Sequence, residues 1–249
     1  MVRPPGHHAE RNRAMGFCLF NNIAMAAAHA RARGLARVAI VDYDVHHGNG
    51  TQWSFYSDPT VLFVSSHQHP FYPGTGAADE IGTDVGTGFT VNLPLAAGAT
   101  DADYERVYDA VAWPILMAFK PQLILISAGF DAYKDDPIAS MRLEADCFGR
   151  LTARAVAIAN DCCDGRVVVT TEGGYHLKGI AASLRSVISA LEDERGADHA
   201  TPSRRRDGDP GVRSAGPDGG ISPPPGASAP RGDATIAAVK PHLARYWPL

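Results

Sequence analysis

The sequence predicts an α/β domain built on a parallel sheet. Short apolar runs alternate with longer helical stretches along most of the chain. The runs are almost continuously apolar instead of alternating with polar residues, as expected of strands covered by helices on both faces. Several of them stop abruptly in residues that carry chemistry, which is where an open α/β sheet holds its ligands.

The elements follow in order. A helix is predicted over 19–33, closed by Gly34, and a strand over 37–41. Further strands are expected at 61–65, 89–93, 122–127 and 166–171, and helices at 103–119, 144–160 and 177–192. Residues 196–234 change character: they are rich in Gly, Pro, Ser, Arg and Asp and include Arg204-Arg205-Arg206 and Pro223-Pro224-Pro225. Such a segment buries too little apolar surface to offset its ordering entropy, so it reads as a disordered linker. The arginine run reads as a solvated charge cluster, and Arg231-Gly232-Asp233 as an incidental triplet. The last stretch, 235–249, looks helical again, with Tyr246 and Trp247 expected to dock on the domain. The expected division is a domain over 1–195, a linker over 196–234 and a docking tail over 235–249.

Composition narrows the function classes. The chain has 249 residues, 45% of them apolar and 20% charged, with a net charge of −4 and a pI near 6.2. This gives no electrostatic case for nucleic-acid binding. No apolar run reaches the roughly 18 residues of a membrane span, and the first residues lack the apolar core of a signal peptide. The four cysteines (Cys18, Cys147, Cys162, Cys163) form no CxxC pair and read as reduced residues of a cytoplasmic protein.

The most informative stretch runs from Val38 to Gly50, where an apolar strand ends in Asp42-Tyr43-Asp44-Val45-His46-His47-Gly48-Asn49-Gly50. Strand alternation starts Asp42, Asp44 and His46 on one side. Buried carboxylates are costly unless paired or bound to a cation, and oxygen plus imidazole nitrogen is the ligand set of a catalytic zinc. A strand end with a capping Asp and solvated histidines is the bland reading, and for an isolated Asp-x-His it would win. Four other segments weigh against it. The chain opens with Arg3-Pro4-Pro5-Gly6-His7-His8-Ala9, in which two histidines suit acid–base work, and Phe17, Cys18, Asn21 and Asn22 follow. Ser65-Ser66-His67-Gln68-His69-Pro70-Phe71-Tyr72-Pro73-Gly74-Thr75-Gly76 leaves a strand for a Pro/Gly loop whose aromatics either plug a core or wall a pocket. Ser127-Ala128-Gly129-Phe130-Asp131 and Thr171-Glu172-Gly173-Gly174-Tyr175 end strands in an Asp and in a Gly-Gly bend with a Tyr.

In this order these motifs resemble the zinc-dependent histone deacetylase family of the arginase/deacetylase superfamily. The likeness covers Arg3 to about Glu192, with 235–249 similar to the family's closing helix. Asn49, Phe71-Tyr72-Pro73-Gly74-Thr75-Gly76 and Asp131-x-x-x-Asp135-Asp136-Pro137 are most similar to the class II branch and its bacterial relatives. The resemblance implies a three-layer fold, a parallel sheet flanked by helices. It also implies that the family's domain starts upstream of the Pro-Gly-His-His segment, so 1–195 is expected to be N-terminally partial.

By position, Asp44, His46 and Asp131 would bind zinc. His8 would act as general base and then acid, with His7, paired to Asp42, as its electrostatic neighbour. Tyr175 would hydrogen-bond the substrate carbonyl. Phe17 and Tyr72, with Gly16 and Gly173, would form the substrate site. Structural potassium ions are implied at two places: at Asp42, Asp44, His46, Ser65 and Ser66, and around Phe55, Asp58 and Val61. The implied reaction is zinc-dependent hydrolysis of an acyl amide, foremost acetyl-lysine in proteins. Deacetylation of small acetylated amines such as polyamines, or a non-catalytic zinc-binding module, are the alternatives. A binuclear manganese site of the arginase type would want more bridging carboxylates. An acetylated protein or amine is the expected partner, with no nucleic acid and no membrane, and a homo-oligomer left open.

Overall fold

A computed structural model describes residues 4–197 and 228–249. Arg3 and most of the predicted linker lie outside the described residues. Five strands form one fully parallel sheet: β1 (Val38–Asp42), β2 (Val61–Gln68), β3 (Thr90–Leu95), β4 (Leu123–Ala128) and β5 (Val167–Thr171), in the order β3-β2-β1-β4-β5. The helices are α1 (Asn22–Ala32), α2 (Asn49–Phe55), α3 (Asp101–Val107), α4 (Trp113–Phe119), α5 (Ala145–Cys163), α6 (Leu177–Ala197) and α7 (Pro230–Leu243). The α/β class expected from the apolar runs is the class observed.

Alternate residues of β1 serve two cores. Val38 and Ile40 pack with Phe63 and with Ile23, Ala27 and Ala30 of α1. Ala39 and Val41 face the larger core, filled by Tyr104, Trp113 and Leu116 of α3 and α4, Phe148 and Leu151 of α5, and Val239 and Leu243 of α7. Both faces of β1 are therefore buried, which explains why it reads as an unbroken apolar run.

Four expectations need correction. β2 extends to Gln68, beyond the predicted 65, because Ser66, His67 and Gln68 pair with Leu93, Pro94 and Leu95 of β3. The predicted helix over 103–119 is two helices joined by a π-helical segment, Tyr108–Ala112. Pro114 lacks an N–H and its ring crowds the preceding turn, and a wider π turn accommodates this. Helix α2 was not predicted at all. α7 starts at Pro230, inside the predicted linker: the backbone N–H groups of Arg231 and Gly232 donate to Asp103 Oδ1, each at 3.0 Å. In the last stretch, Trp247 Nε1 donates to the Gly88 carbonyl at 2.7 Å. Thr235 Oγ1 donates to Pro94 O at 2.7 Å, so α7 covers the β3 edge.

The strand order reverses direction at β1: the chain steps from β1 out to β2 and β3, then returns to β4 on the other side. A crevice opens at such a switch point, beyond the carboxyl ends of the strands. Here it lies between the ends of β1 and β4, where Asp42 and Ser127 are in register.

Candidate active site

Asp42 is the last residue of β1, so Asp44 and His46 sit in the loop after it and strand alternation alone does not align them. Short side-chain-to-backbone bonds do. Asp44 N donates to Asp42 Oδ1 at 3.1 Å, and His46 N to Asp44 Oδ1 at 2.9 Å. Each Asp thus turns the chain two residues ahead. From the end of β4, Asp131 Oδ1 accepts the Val45 N–H at 2.9 Å and ties the two strand ends together. From the end of β5, Gly173 N donates to Asp44 Oδ2 at 2.7 Å.

These bonds leave three ligating atoms facing one point. His46 Nδ1 lies 3.1 Å from Asp44 Oδ1 and 3.2 Å from Asp131 Oδ2. Asp44, His46 and Asp131 offer atoms that all lie within 4.8 Å of one another. Asp131 Oδ2 is buried and, among the described residues, is aligned with no hydrogen-bond donor. A Cβ placed on Gly129 or Gly173 would run into the Asp44 or Asp131 carboxylate, so the space beside the cluster exists only because both are glycine. Electrostatics point the same way. Burial raises the Asp131 carboxyl, and Asp44 adds to the rise. Burial by itself would lower His46, but Asp131 and Asp44 together raise it to about 10. Two buried carboxylates that hold a proton so firmly suit a cation, and the mixed oxygen and nitrogen donors suit zinc.

The histidine pair sits beside this cluster. His7 Nδ1 is 3.0 Å from Asp42 Oδ2, and its Nε2 is 3.7 Å from Asp44 Oδ1. Despite burial, Asp44 and Asp42 raise His7 well above its ordinary value. Its neighbour behaves oppositely: burial, then the charge on His7, push His8 down to about 3. The two rings are 4.1 Å apart, one favouring the cation and one the neutral base. Environments that separate two titratable neighbours in this way suit a division of acid–base roles. Asn21 holds the loop, accepting the Ala24 N–H at 2.9 Å as cap of α1 and donating to Ala9 O at 3.2 Å.

The walls are apolar. Gly16 and Phe17 both have positive φ (56° and 64°), and a Cβ on Gly16 would collide with the His8 ring. The left-handed turn costs roughly 1–2 kcal/mol at Phe17 and leaves its ring 74% exposed at the mouth. Tyr72 meets His8 edge-on at 5.1 Å, and Phe71 stacks on His46 at 5.3 Å. Their loop is pinned by His47 Nδ1 against Thr75 Oγ1 at 2.8 Å and by His67 Nε2 against Gly76 O at 2.9 Å. Tyr175 also lines the cavity. Asp136 Oδ2 accepts its backbone N–H at 2.7 Å and that of His176 at 3.1 Å.

The structure therefore brings together His7, His8, Asp42, Asp44, His46, Asp131, Gly16, Phe17, Tyr72, Gly173 and Tyr175. Of the residues implied for potassium, Ser65 is in register with Asp42, with its hydroxyl 3.0 Å from His67 Nδ1. Ser66 Oγ lies 3.5 Å from Asp42 O. Phe55, Asp58 and Val61 sit together in the α2–β2 turn, at the opposite end of the sheet. The sequence reading gave no role to Glu10, Glu172, Asp136 or Ile138. Glu172 carried a faint signal, a charge closing an apolar strand, whereas Ile138 at the cavity rim carried none.

A parallel sheet with an Asp–His–Asp cluster and a histidine pair at its switch point defines a candidate metal centre with acid–base groups at hand. The histone deacetylase domain model matches residues 1–191. A probable deacetylase of Archaeoglobus fulgidus is 49% identical over 179 residues, covering 72% of this chain and 50% of that protein. Histone deacetylase 15 of Arabidopsis thaliana is 48% identical over 198 residues, covering 78% of this chain and 35% of that protein. The crystal structure of the HDA15 HD domain matches with a TM-score of 0.81 at 41% identity, covering 99% of this chain and 61% of that one. The chain belongs to the histone deacetylase family. It spans half the length of the archaeal relative and about a third of the plant one.

Proposed function

We propose that the chain is a zinc-dependent deacetylase acting on acyl-lysine in proteins. The observation that carries the reading is the buried Asp44–His46–Asp131 cluster at the floor of an apolar-walled cavity that His8 and Tyr175 also line. Asp44, His46 and Asp131 would hold the zinc. When bound, it supplies a Lewis acid that polarises the amide carbonyl and makes water a competent nucleophile near neutral pH.

The remaining work belongs to the chain. His8, neutral in its buried setting, takes a proton from the attacking water and returns it to the leaving amine. His7, held as a cation by Asp42 and Asp44, keeps positive charge beside the reacting carbonyl. The Tyr175 hydroxyl donates to the carbonyl oxygen as it gains negative charge. Phe17 and Tyr72 flank the aliphatic stem of the acyl-lysine, with Gly16 and Gly173 keeping the passage open. Potassium at Asp42, Asp44, His46, Ser65 and Ser66, and at Phe55, Asp58 and Val61, is part of the same proposal. A cytoplasmic location fits four cysteines that are all free.

The test is hydrolysis of a fluorogenic acetyl-lysine peptide by the zinc-loaded chain, before and after chelation. Turnover that chelation abolishes and zinc restores supports the reading. Stoichiometric zinc with no turnover of this peptide would replace it with a non-catalytic zinc-binding module.

A further inference from the structure

Asn49 offers His8 either of two chemically opposite ends, and its surroundings decide which. A side-chain amide has nearly the same shape both ways round, but its nitrogen only donates and its oxygen only accepts. Asn49 Nδ2 lies 3.0 Å from Glu10 Oε1 and 3.4 Å from the His8 carbonyl oxygen. Both partners are acceptors, so the nitrogen belongs on that side. Asn49 Oδ1 is thereby turned to His8 Nδ1, at 2.8 Å. An oxygen there requires a proton on His8 Nδ1, and a neutral imidazole protonated at Nδ1 keeps its lone pair on Nε2.

Glu10 is the stronger of the two acceptors, since a hydrogen bond to an ionised group is roughly twice as strong as a neutral one. It is also held in place. Arg13 Nη2 lies 3.1 Å from Glu10 Oε1, and the Glu10 N–H donates to Arg13 O at 2.9 Å. Arg13 is 61% exposed and the Glu10 side chain 24% exposed, so the series Arg13, Glu10, Asn49, His8 leads from the surface to the cavity. The reversed amide would set its oxygen against the Glu10 carboxylate and present an N–H to His8 Nδ1. The His8 proton would then sit on Nε2, where no base is available to a substrate.

We infer that Glu10 is a positioning residue that fixes the Asn49 amide, and through it the tautomer in which His8 Nε2 is free to accept a proton. The inference rests on the proposed role of His8 in deacetylation, but its structural half stands apart from turnover. It is read first from the ring nitrogen resonances of the zinc-loaded full chain labelled with ¹⁵N-histidine, the His8 signals being those lost in His8→Ala. At neutral pH the parent should show His8 protonated at Nδ1. Glu10→Ala should shift His8 toward the Nε2-protonated form and lower kcat about tenfold, a part of the general acid–base contribution, with zinc content and KM unchanged. Glu10→Gln keeps an acceptor oxygen and should restore most of both. In an Asn49→Asp background a carboxylate accepts from His8 whichever way it faces, so adding Glu10→Ala should cost nothing further. A Glu10→Ala chain whose His8 remains wholly Nδ1-protonated overturns the inference, whatever its activity. A chain with the expected tautomer shift and unchanged kcat overturns the catalytic consequence. A parent with the expected tautomer that hydrolyses no acyl-lysine peptide counts against the functional reading and leaves the placement of Glu10 supported.

Discussion

Glu172, at the carboxyl end of β5, grips the backbone of His7 across the site: its Oε2 accepts the His7 N–H at 3.1 Å and that of Gly6 at 2.6 Å. Its Oε1 accepts from Ser127 Oγ at 2.9 Å. The loop carrying both histidines is thus anchored to the sheet that carries the candidate metal-ligand cluster. Glu172→Ala would strand two buried N–H groups, each costing about 1–3 kcal/mol. A loss of several kcal/mol in urea denaturation is expected, together with a fall in turnover. Glu172→Gln keeps the acceptor oxygens and should lose less of both. Parent-like stability and rate in the alanine variant would remove Glu172 from this role.

Gly173 tests the cavity floor without replacing a proposed ligand. Its Cβ would press on the carboxylates of Asp131 and Asp44. Gly173→Ala should therefore weaken zinc binding by about 10–100-fold, the range seen when groups supporting metal ligands are altered. Competition against a chromophoric chelator measures it. Unchanged affinity would mean that the metal lies elsewhere.

Tyr175→Phe removes a hydroxyl and keeps the ring. Turnover of acetyl-lysine peptide should fall by roughly 10²–10³, the usual cost of an oxyanion donor, while zinc content stays the same. A variant that keeps the parent rate would reduce Tyr175 to a wall residue.

His67 supplies a pH dependence. Burial lowers it to about 4, and its neutral ring bridges Ser65 and Gly76 beneath the Tyr72 loop. The unfolded chain, with a value near ~6.5, takes up this proton first as pH falls. Stability from the neutral ring is complete above about pH 6.5 and is lost progressively toward pH 4, on the order of 3 kcal/mol in all. Urea midpoints should fall less steeply over this window in His67→Asn than in the parent. Parallel curves would contradict the assignment.

How much of this was legible in the sequence depended on how local each cause was. β1 and β4 were readable because both faces are buried, and β5 because its Val-rich run stays apolar even at the sheet edge where Val168 is exposed; each run ends in residues that line the candidate site. α2 was not: Asn49-Gly50-Thr51-Gln52 has no apolar period, and its first turn is set by tertiary contact, with the Thr51 N–H donating to His7 O at 3.2 Å. The alignment of Asp44 with His46 was expected for one reason, strand pleating, and arises from another, the Asp-driven turns. The anchors Glu172 and Asp136 were invisible as such, since their partners lie far along the chain or on backbone atoms that leave no trace in composition. The positions of Asp44, His46 and Asp131 were read from motif order, and the fold brings them together.

The proposed reaction needs one buried cluster to hold one metal, and the most direct test is zinc stoichiometry in the parent chain and in Asp131→Ala. Elemental analysis after dialysis should find about one zinc per parent chain, and a large loss in the variant, whose cluster keeps only Asp44 and His46. Stoichiometric zinc in Asp131→Ala, or none in a correctly folded parent supplied with zinc, would contradict it.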